Sequence, residues 1–251
     1  MVVDFQGTMV KVLSKEEREK RGRQEHLQIA QEELSRAWMY KPEARERVKE
    51  YFEMMQDQNW KLEKVNGDME TWRLPGEQVH RIMGVKHVNA TPSLCMQYFE
   101  DPKAVFTKLF PKIDLMFSEG KVLNVGAKGQ ATCYGVFKMP MPVGNQPARG
   151  IRSRDFLWDQ RVTQLNTGNV LVTANSLKDS SHVPTKKGCV RGMILTSGYY
   201  GRTSPENKEV SKVWYIVQAD PKGCLPKWLV NLASSKQADN VYRLSEMFKN
   251  I

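Results

Sequence analysis

The chain has 251 residues, 40% of them hydrophobic, six Trp and a formal net charge of +10. That is enough apolar material for one large domain, or one domain with an appendage, and it excludes wholesale disorder. No stretch approaches the roughly 20 apolar residues that a membrane-spanning helix needs. Residues 1–60 hold 11 Lys/Arg against 12 Asp/Glu and the remainder 27 against 16, so the basic charge sits in the later part. Such a portion calls for an anionic partner, and nucleic acid and anionic lipid headgroups both qualify.

The first residues carry Asp4, Gln6 and Lys11 with no apolar run after a basic cluster, so no secretory leader is expected. Val2 excludes N-myristoylation, and the last four residues contain no Cys to prenylate. Cys95, Cys133, Cys189 and Cys224 are far apart and read as reduced, buried thiols of a cytoplasmic protein.

Residues 14–58 read as helical. Ser14 with Glu17 is a capping-box pair, and Pro42 with Glu43 opens a second helix. The first helix is dense in both charge signs, with Leu27, Ala30, Leu34 and Trp38 as its apolar stripe. It is expected to pack that stripe on a domain edge, with a protein-partner or membrane-surface role as the alternative. In the second helix Val48, Tyr51, Phe52 and Met55 share a face. We expect a charged helical extension at 1–40 and the main domain at 41–251.

From Trp60 the hydrophobic period falls to two. Residues 60–65 and 70–74 alternate as strands around the hairpin signal Asn66-Gly67, and 79–88 follows as a third strand. Helical segments are expected at 91–99 and 102–110. Strands follow at 121–125, 131–139, 155–165, 169–176, 189–195 and 208–219, and a long helix at 226–249 closes the chain. Consecutive strands on short turns imply an antiparallel sheet with helices gathered on one side, an α+β fold.

Along 155–162 side chains alternate faces, so Asp155, Leu157, Asp159 and Arg161 share one side and Phe156, Trp158, Gln160 and Val162 the other. The second set is apolar and aromatic with one neutral polar group. A ligand tunnel has this character, and so has an ordinary sheet core with one satisfied Gln. In the last helix Val230, Ala233, Gln237, Val241, Leu244 and Phe248 fall on one face, with small Ala233, Ser234 and Ala238 at its middle.

The series Ser153-Arg154-Asp155-Phe156, Val183-Pro184 with Lys187-Gly188, Val190-Arg191, Ser197-Gly198, and Tyr215 through Asp220 to Trp228 and Asn231 resembles the signature of a START (StAR-related lipid transfer) domain. The resemblance is specific from about 153 to 231, weaker over 60–141 and absent from 1–40. It implies a helix-grip fold, in which a curved antiparallel sheet of about nine strands wraps the C-terminal helix around a lipid tunnel. It also implies a carrier of one lipid between membranes, with no cofactor and no metal. The lipid-binding residues it implies are Tyr134, Phe156, Trp158, Gln160, Val162, Val230, Ala233, Gln237, Val241 and Leu244.

Gln160 stands where relatives that bind sterols or choline lipids commonly place an Arg, so their buried charge pair is not carried over. Tyr134 matches the strand where phosphatidylcholine-carrying members cage choline by cation–π attraction. With Gln160 and the aromatic-rich lining, a phosphatidylcholine-like glycerophospholipid is the favoured ligand, with a sensor or scaffold that binds sterol or ceramide without transfer, and after it a helix-grip enzyme, as the alternatives. The loop 138–152 matches the family's lid loop. Lys138, Met139, Met141, Arg149 and Ile151, with Lys222, Leu225, Lys227 and Trp228 at the helix start, form an expected docking surface for anionic membranes. Trp228 reads equally as a core anchor of the helix.

No G-x-S-x-G, Walker A or H-E-x-x-H occurs, and the four His lack metal-ligand spacing, so no catalysis is expected. The aromatics lie among apolar neighbours without a basic-aromatic RNA motif, and no nucleic-acid partner is expected.

Overall fold

The computed structural model describes residues 2–3, 9–10, 13–76, 79–140, 151–177, 179 and 181–249. The chain divides into two compact units, Met1–Leu62 and Glu63–Ile251. Among the described residues no helix is long and apolar enough to cross a membrane.

In the first unit β1 (Val2–Val3) pairs antiparallel with β2 (Met9–Val10). Helix α1 (Lys15–Ser35) opens on the expected capping box: the Glu17 N–H donates to Ser14 Oγ at 3.1 Å, and the Ser14 N–H donates to the Glu17 carboxylate at 2.8 Å. Helix α2 (Pro42–Met55) starts on its Pro, where the missing N–H costs nothing, and buries Val48, Tyr51, Phe52 and Met55 as their spacing predicts. The stripe expected on α1 is corrected. Its buried residues are Gly22, His26, Ile29, Ala30 and Glu33, while Trp38 is 69% exposed. A helix that takes His26 and Glu33 to its packed side hides that side from a count of apolar residues. The sequence pattern groups α2 with the larger domain, whereas it falls with α1 in the first unit.

Among the described residues the sheet has ten strands. Its continuous path runs β3 (Lys61–Asn66), β4 (Met69–Leu74), β5 (Arg81–Val88), β12 (Ser211–Asp220), β11 (Met193–Thr203), β9 (Val170–Ser176), β8 (Ser153–Gln164), β7 (Gln130–Phe137), β6 (Phe117–Val125). Gly67, with φ of +62°, makes the tight turn between β3 and β4 that Asn66-Gly67 predicts. The path shows two meanders joined where β5 meets the last strand, β12. The sheet is open, with β3 and β6 at its edges. The short β10 (Cys189–Arg191) pairs with β8 in parallel, placing Cys189 opposite Ser153.

Between β5 and β6 the chain forms α3 (Pro92–Glu100), α4 (Pro102–Ala104), a π turn over Val105–Leu109 and α5 (Phe110–Ile113). One continuous helix was expected over 102–110. Pro111 has no N–H to give to a carbonyl one turn back, and the ladder loosens just before it. Helix α6 (Lys227–Glu246) follows β12 and packs on β5 so closely that a Cβ on Gly84 would stand 2.5 Å from the Ala238 carbonyl oxygen.

The core lies between the inner sheet face and the helices, with Met96, Phe99, Val105, Trp158, Val172, Val213, Ala238, Val241 and Leu244 among its buried members. All four cysteines are unpaired. Cys95 and Cys133 are buried, but Cys189 is half-buried and Cys224 exposed, so the expectation of four buried thiols holds for two.

Candidate functional site

A cavity lies between the inner sheet face and residues 230–240 of α6, with about 1070 Å³ of empty space that includes open solvent at its mouth. The alternation of β8 builds one wall. Arg154, Phe156, Trp158 and Gln160 line the cavity, while Asp155 and Leu157 point to the opposite face. Strand β7 adds Phe137, and α5 adds Phe110. The rings of Phe137 and Phe156 meet edge to face at 5.7 Å, and those of Phe110 and Phe137 at 6.2 Å. Helix α6 contributes Val230, Ala233, Ser234, Gln237 and Asn240, and the small pair Ala233 and Ser234 leaves room beside the helix.

Of the expected lining residues, Phe156, Trp158, Gln160, Val230, Ala233 and Gln237 face this space. Four do not. Tyr134 pairs with Leu157, so it projects from the outer face, where its hydroxyl donates to Asp155 Oδ2 at 3.0 Å. Its ring lies within 6.0 Å of the Arg191 guanidinium and 5.9 Å of Lys121 Nζ, so its cationic neighbours belong to the protein. Val162 is half-buried against the core, beyond the cavity. Val241 and Leu244 are fully buried further along α6, Val241 where the helix comes down on Gly84.

Gln160 is 2% exposed and donates through Nε2 to the Phe99 carbonyl at 3.1 Å. Arg154 is 3% exposed, and its guanidinium donates to three backbone carbonyls, those of Arg152, Pro221 and Lys222. Its charge holds the chain just before α6.

Beyond Gln160 and Gln237, the polar part of the lining was not legible in the sequence. Gln237 Nε2 donates to Asp114 Oδ2 at 3.1 Å, and the Tyr215 hydroxyl donates to Gln237 Oε1 at 2.9 Å. Asn240 Nδ2 donates to Gln237 Oε1 at 3.2 Å and to Asp114 Oδ2 at 3.4 Å. The Met116 N–H donates to Asp114 Oδ1 at 2.9 Å. The Tyr199 ring stacks on that of Tyr215 at 4.1 Å. Burial pushes the Asp114 carboxyl up, and its hydrogen bonds from Gln237, the Met116 N–H and Asn240 pull against that without cancelling it. Burial also pushes the Tyr199 and Tyr215 phenols up, so both remain protonated. Asn240 could have been found three residues beyond Gln237 on the same helical face. Asp114 ends a helix of four residues and carries no periodic signal.

At the rim Lys138 is exposed and Met139 half-buried, and both line the cavity. Ile151 and Leu225 are half-buried, and Lys222, Lys227 and Trp228 are exposed, Trp228 at 52%. The core anchor of the helix start is Leu229, fully buried. Met141 and Arg149 lie outside the described residues.

An open antiparallel sheet gripping a C-terminal helix around an apolar cavity defines a helix-grip protein. A sequence profile described as the START domain matches residues 114–245, and the chain belongs to the START domain family. Human START domain-containing protein 10 is 29% identical over 117 residues, covering 46% of this chain and 35% of that protein. The chain thus spans about a third of that relative's length. The uncharacterized protein PA1579 of Pseudomonas aeruginosa is 24% identical over 178 residues, 69% of this chain and 78% of that one. Among solved structures, human StAR-related lipid transfer protein 5 superposes with a TM-score of 0.68 at 16% identity, covering 86% of this chain and 97% of that one. Human STARD10 gives 0.60 at 19% identity, covering 76% and 73%.

Proposed function

We propose that the chain holds one lipid molecule in the cavity and carries it between membranes. The observation that carries this reading is an aromatic and aliphatic lining, built by β7, β8 and α6, that opens toward exposed Lys138 and half-buried Met139. Each CH₂ drawn from a bilayer into water costs about 0.8 kcal/mol, and a carrier must replace that environment with an apolar wall. Family membership supports the same reading.

Docking on the membrane falls to Trp228, Leu225, Met139 and Ile151 among Lys138, Arg152, Lys222 and Lys227, apolar groups ringed by cations. Each cation near an anionic surface adds about 1 kcal/mol of attraction. The protein then works at membrane surfaces without spanning them. The charged helix α1 is a candidate contact for a protein partner. Tyr134 projects from the outer sheet face and so gives no choline cage in the cavity, while Gln160 and the aromatic lining, which favour a phosphatidylcholine-like ligand, face the cavity.

The test is transfer of labelled lipid from donor to acceptor vesicles. Protein-dependent exchange that scales with protein concentration supports the carrier. Retained lipid without exchange makes the chain a lipid sensor, and neither retention nor exchange removes the reading.

A further inference from the structure

The two edges of the open sheet are finished differently. At the start of β3 the Leu62 N–H donates to Glu19 Oε2 at 3.1 Å, and the Trp60 carbonyl accepts from Arg23 Nη1 at 3.2 Å, so side chains of α1 take up backbone groups there. Strand β6 is the opposite edge, and among the described residues no side chain bonds the backbone of 118–125. An edge strand turns a row of N–H and C=O groups away from its neighbour, ready to pair with another chain. Exposed apolar side chains gather on the same segment: Leu115 just before β6 is 70% exposed, Leu123 37% and Val125 60%.

The charges on β6 are complementary to their own copy. Glu119 pairs with Val136 and Lys121 with Tyr134 on β7, two positions apart in an unbroken stretch of the ladder, so both point to the outer face. Gly120 lies between them. A second β6 laid antiparallel about a two-fold axis through Gly120 sets Glu119 of each copy opposite Lys121 of its partner, and no side chain stands on the axis. The same axis brings Leu123 and Val125 of one copy toward Phe117 and Leu115 of the other. An axis through Lys121 would set two lysines face to face, and one through Glu119 two glutamates, so the charges select the Gly120 register. Glu119 also pairs with Lys186 Nζ, but those side chains are 53% and 45% exposed, and so open an ion pair competes weakly.

We propose that β6 is the interface of a symmetric dimer of this chain, in which two β6 strands pair antiparallel about Gly120 and one sheet continues across both copies. The surface lies apart from the cavity, and the inference does not depend on the lipid-carrier reading. The ladder of β6 shifts register between Phe117 and Glu119 and between Val122 and Asn124, which confines regular pairing to the middle of the strand. So short an interface belongs to the weak, reversible class.

Sedimentation of the whole chain from about 10 to 500 μM, the range a small interface calls for, should show a reversible monomer–dimer equilibrium that weakens at high salt. Glu119→Lys and Lys121→Glu each set like charges opposite one another at two places, and each should weaken dimerisation by about tenfold. The double variant restores both pairs with the signs exchanged and should return the dimer toward wild-type strength. Wild-type protein that stays monomeric overturns the inference, as does a dimer indifferent to both single substitutions or left weak in the double variant. Amide exchange on the wild-type chain decides even if a variant does not fold. The N–H groups of 119–122 should exchange more slowly at concentrations where the dimer forms, and unchanged exchange there in a protein that dimerises overturns it.

Discussion

Arg154 donates through Nη2 to the carbonyl of Lys222 at 3.0 Å, across the turn that launches the last helix. Lys222 is held in the left-handed region at φ of 50°, with its N–H donating to Asp220 Oδ1 at 2.8 Å. A non-glycine residue in this conformation persists only where its surroundings hold it. We expect Arg154→Met to lose about 3 kcal/mol of stability, because the Pro221 and Lys222 carbonyls lose a charged donor. Urea unfolding with an unchanged slope and a lower midpoint would show it. An unshifted midpoint would mean the turn holds itself.

On the other face of β8, Asp155 is fully buried and accepts from Arg191 Nε at 3.0 Å, Arg191 Nη2 at 3.1 Å, the Lys186 N–H at 2.9 Å and the Tyr134 hydroxyl. Burial alone would raise its pKa. The hydrogen bonds from Arg191, Lys186 and Tyr134 overcome that and hold the carboxyl below its ordinary value of 3.8. A depressed folded pKa gives stability that is present above 3.8 and lost as pH falls through the lower folded value. Asp155→Asn should cost about 3–5 kcal/mol near neutral pH by stranding Arg191, and should flatten the acid limb of the stability profile. Parallel acid limbs in the two proteins would contradict this.

Gly84 is where helix and sheet touch. An added Cβ would meet the Ala238 carbonyl oxygen at 2.5 Å and Val241 Cγ1 at 2.9 Å. Since one neighbour is backbone, α6 must move to admit it. Gly84→Ala should destabilise by about 1–3 kcal/mol, the usual range for overpacking, despite the better strand propensity of Ala. A melting temperature equal to wild type would show that the helix gives way freely.

Trp228 is 52% exposed and makes no part of the core, so Trp228→Ser should leave thermal stability within about 0.5 kcal/mol of wild type. It should slow lipid transfer and weaken binding to anionic vesicles. Replacing Lys222 and Lys227 with Ala should weaken the same binding at low salt and matter less at high salt. Flotation with vesicles at two ionic strengths checks both, and undiminished flotation of Trp228→Ser would move the docking surface elsewhere.

Much of the fold was readable because it is periodic. Alternation along β8 placed Phe156, Trp158 and Gln160 on one face, and spacing along α6 placed Val230, Ala233 and Gln237 on another; these faces meet across the cavity. Register was not readable. Whether Tyr134 faced inward depended on its pairing with Leu157 rather than with Trp158, a one-residue choice that alternation within β7 cannot make. Residues 196–203, with Gly198 and Gly201, read as a loop but continue β11, because sheet neighbours on both sides supply hydrogen bonds that local propensity does not foresee. Tyr199 was missed with that segment. Asp114 was missed because only tertiary packing brings it to Gln237.

Lipid carriage is measured by exposing the purified protein to vesicles of mixed natural lipids, re-isolating it, and identifying what it carries by mass spectrometry after denaturation. A cavity that holds one lipid should return close to one lipid per protein chain, from a narrow chemical class. Protein that is folded by its near-ultraviolet spectrum yet returns no lipid would contradict it.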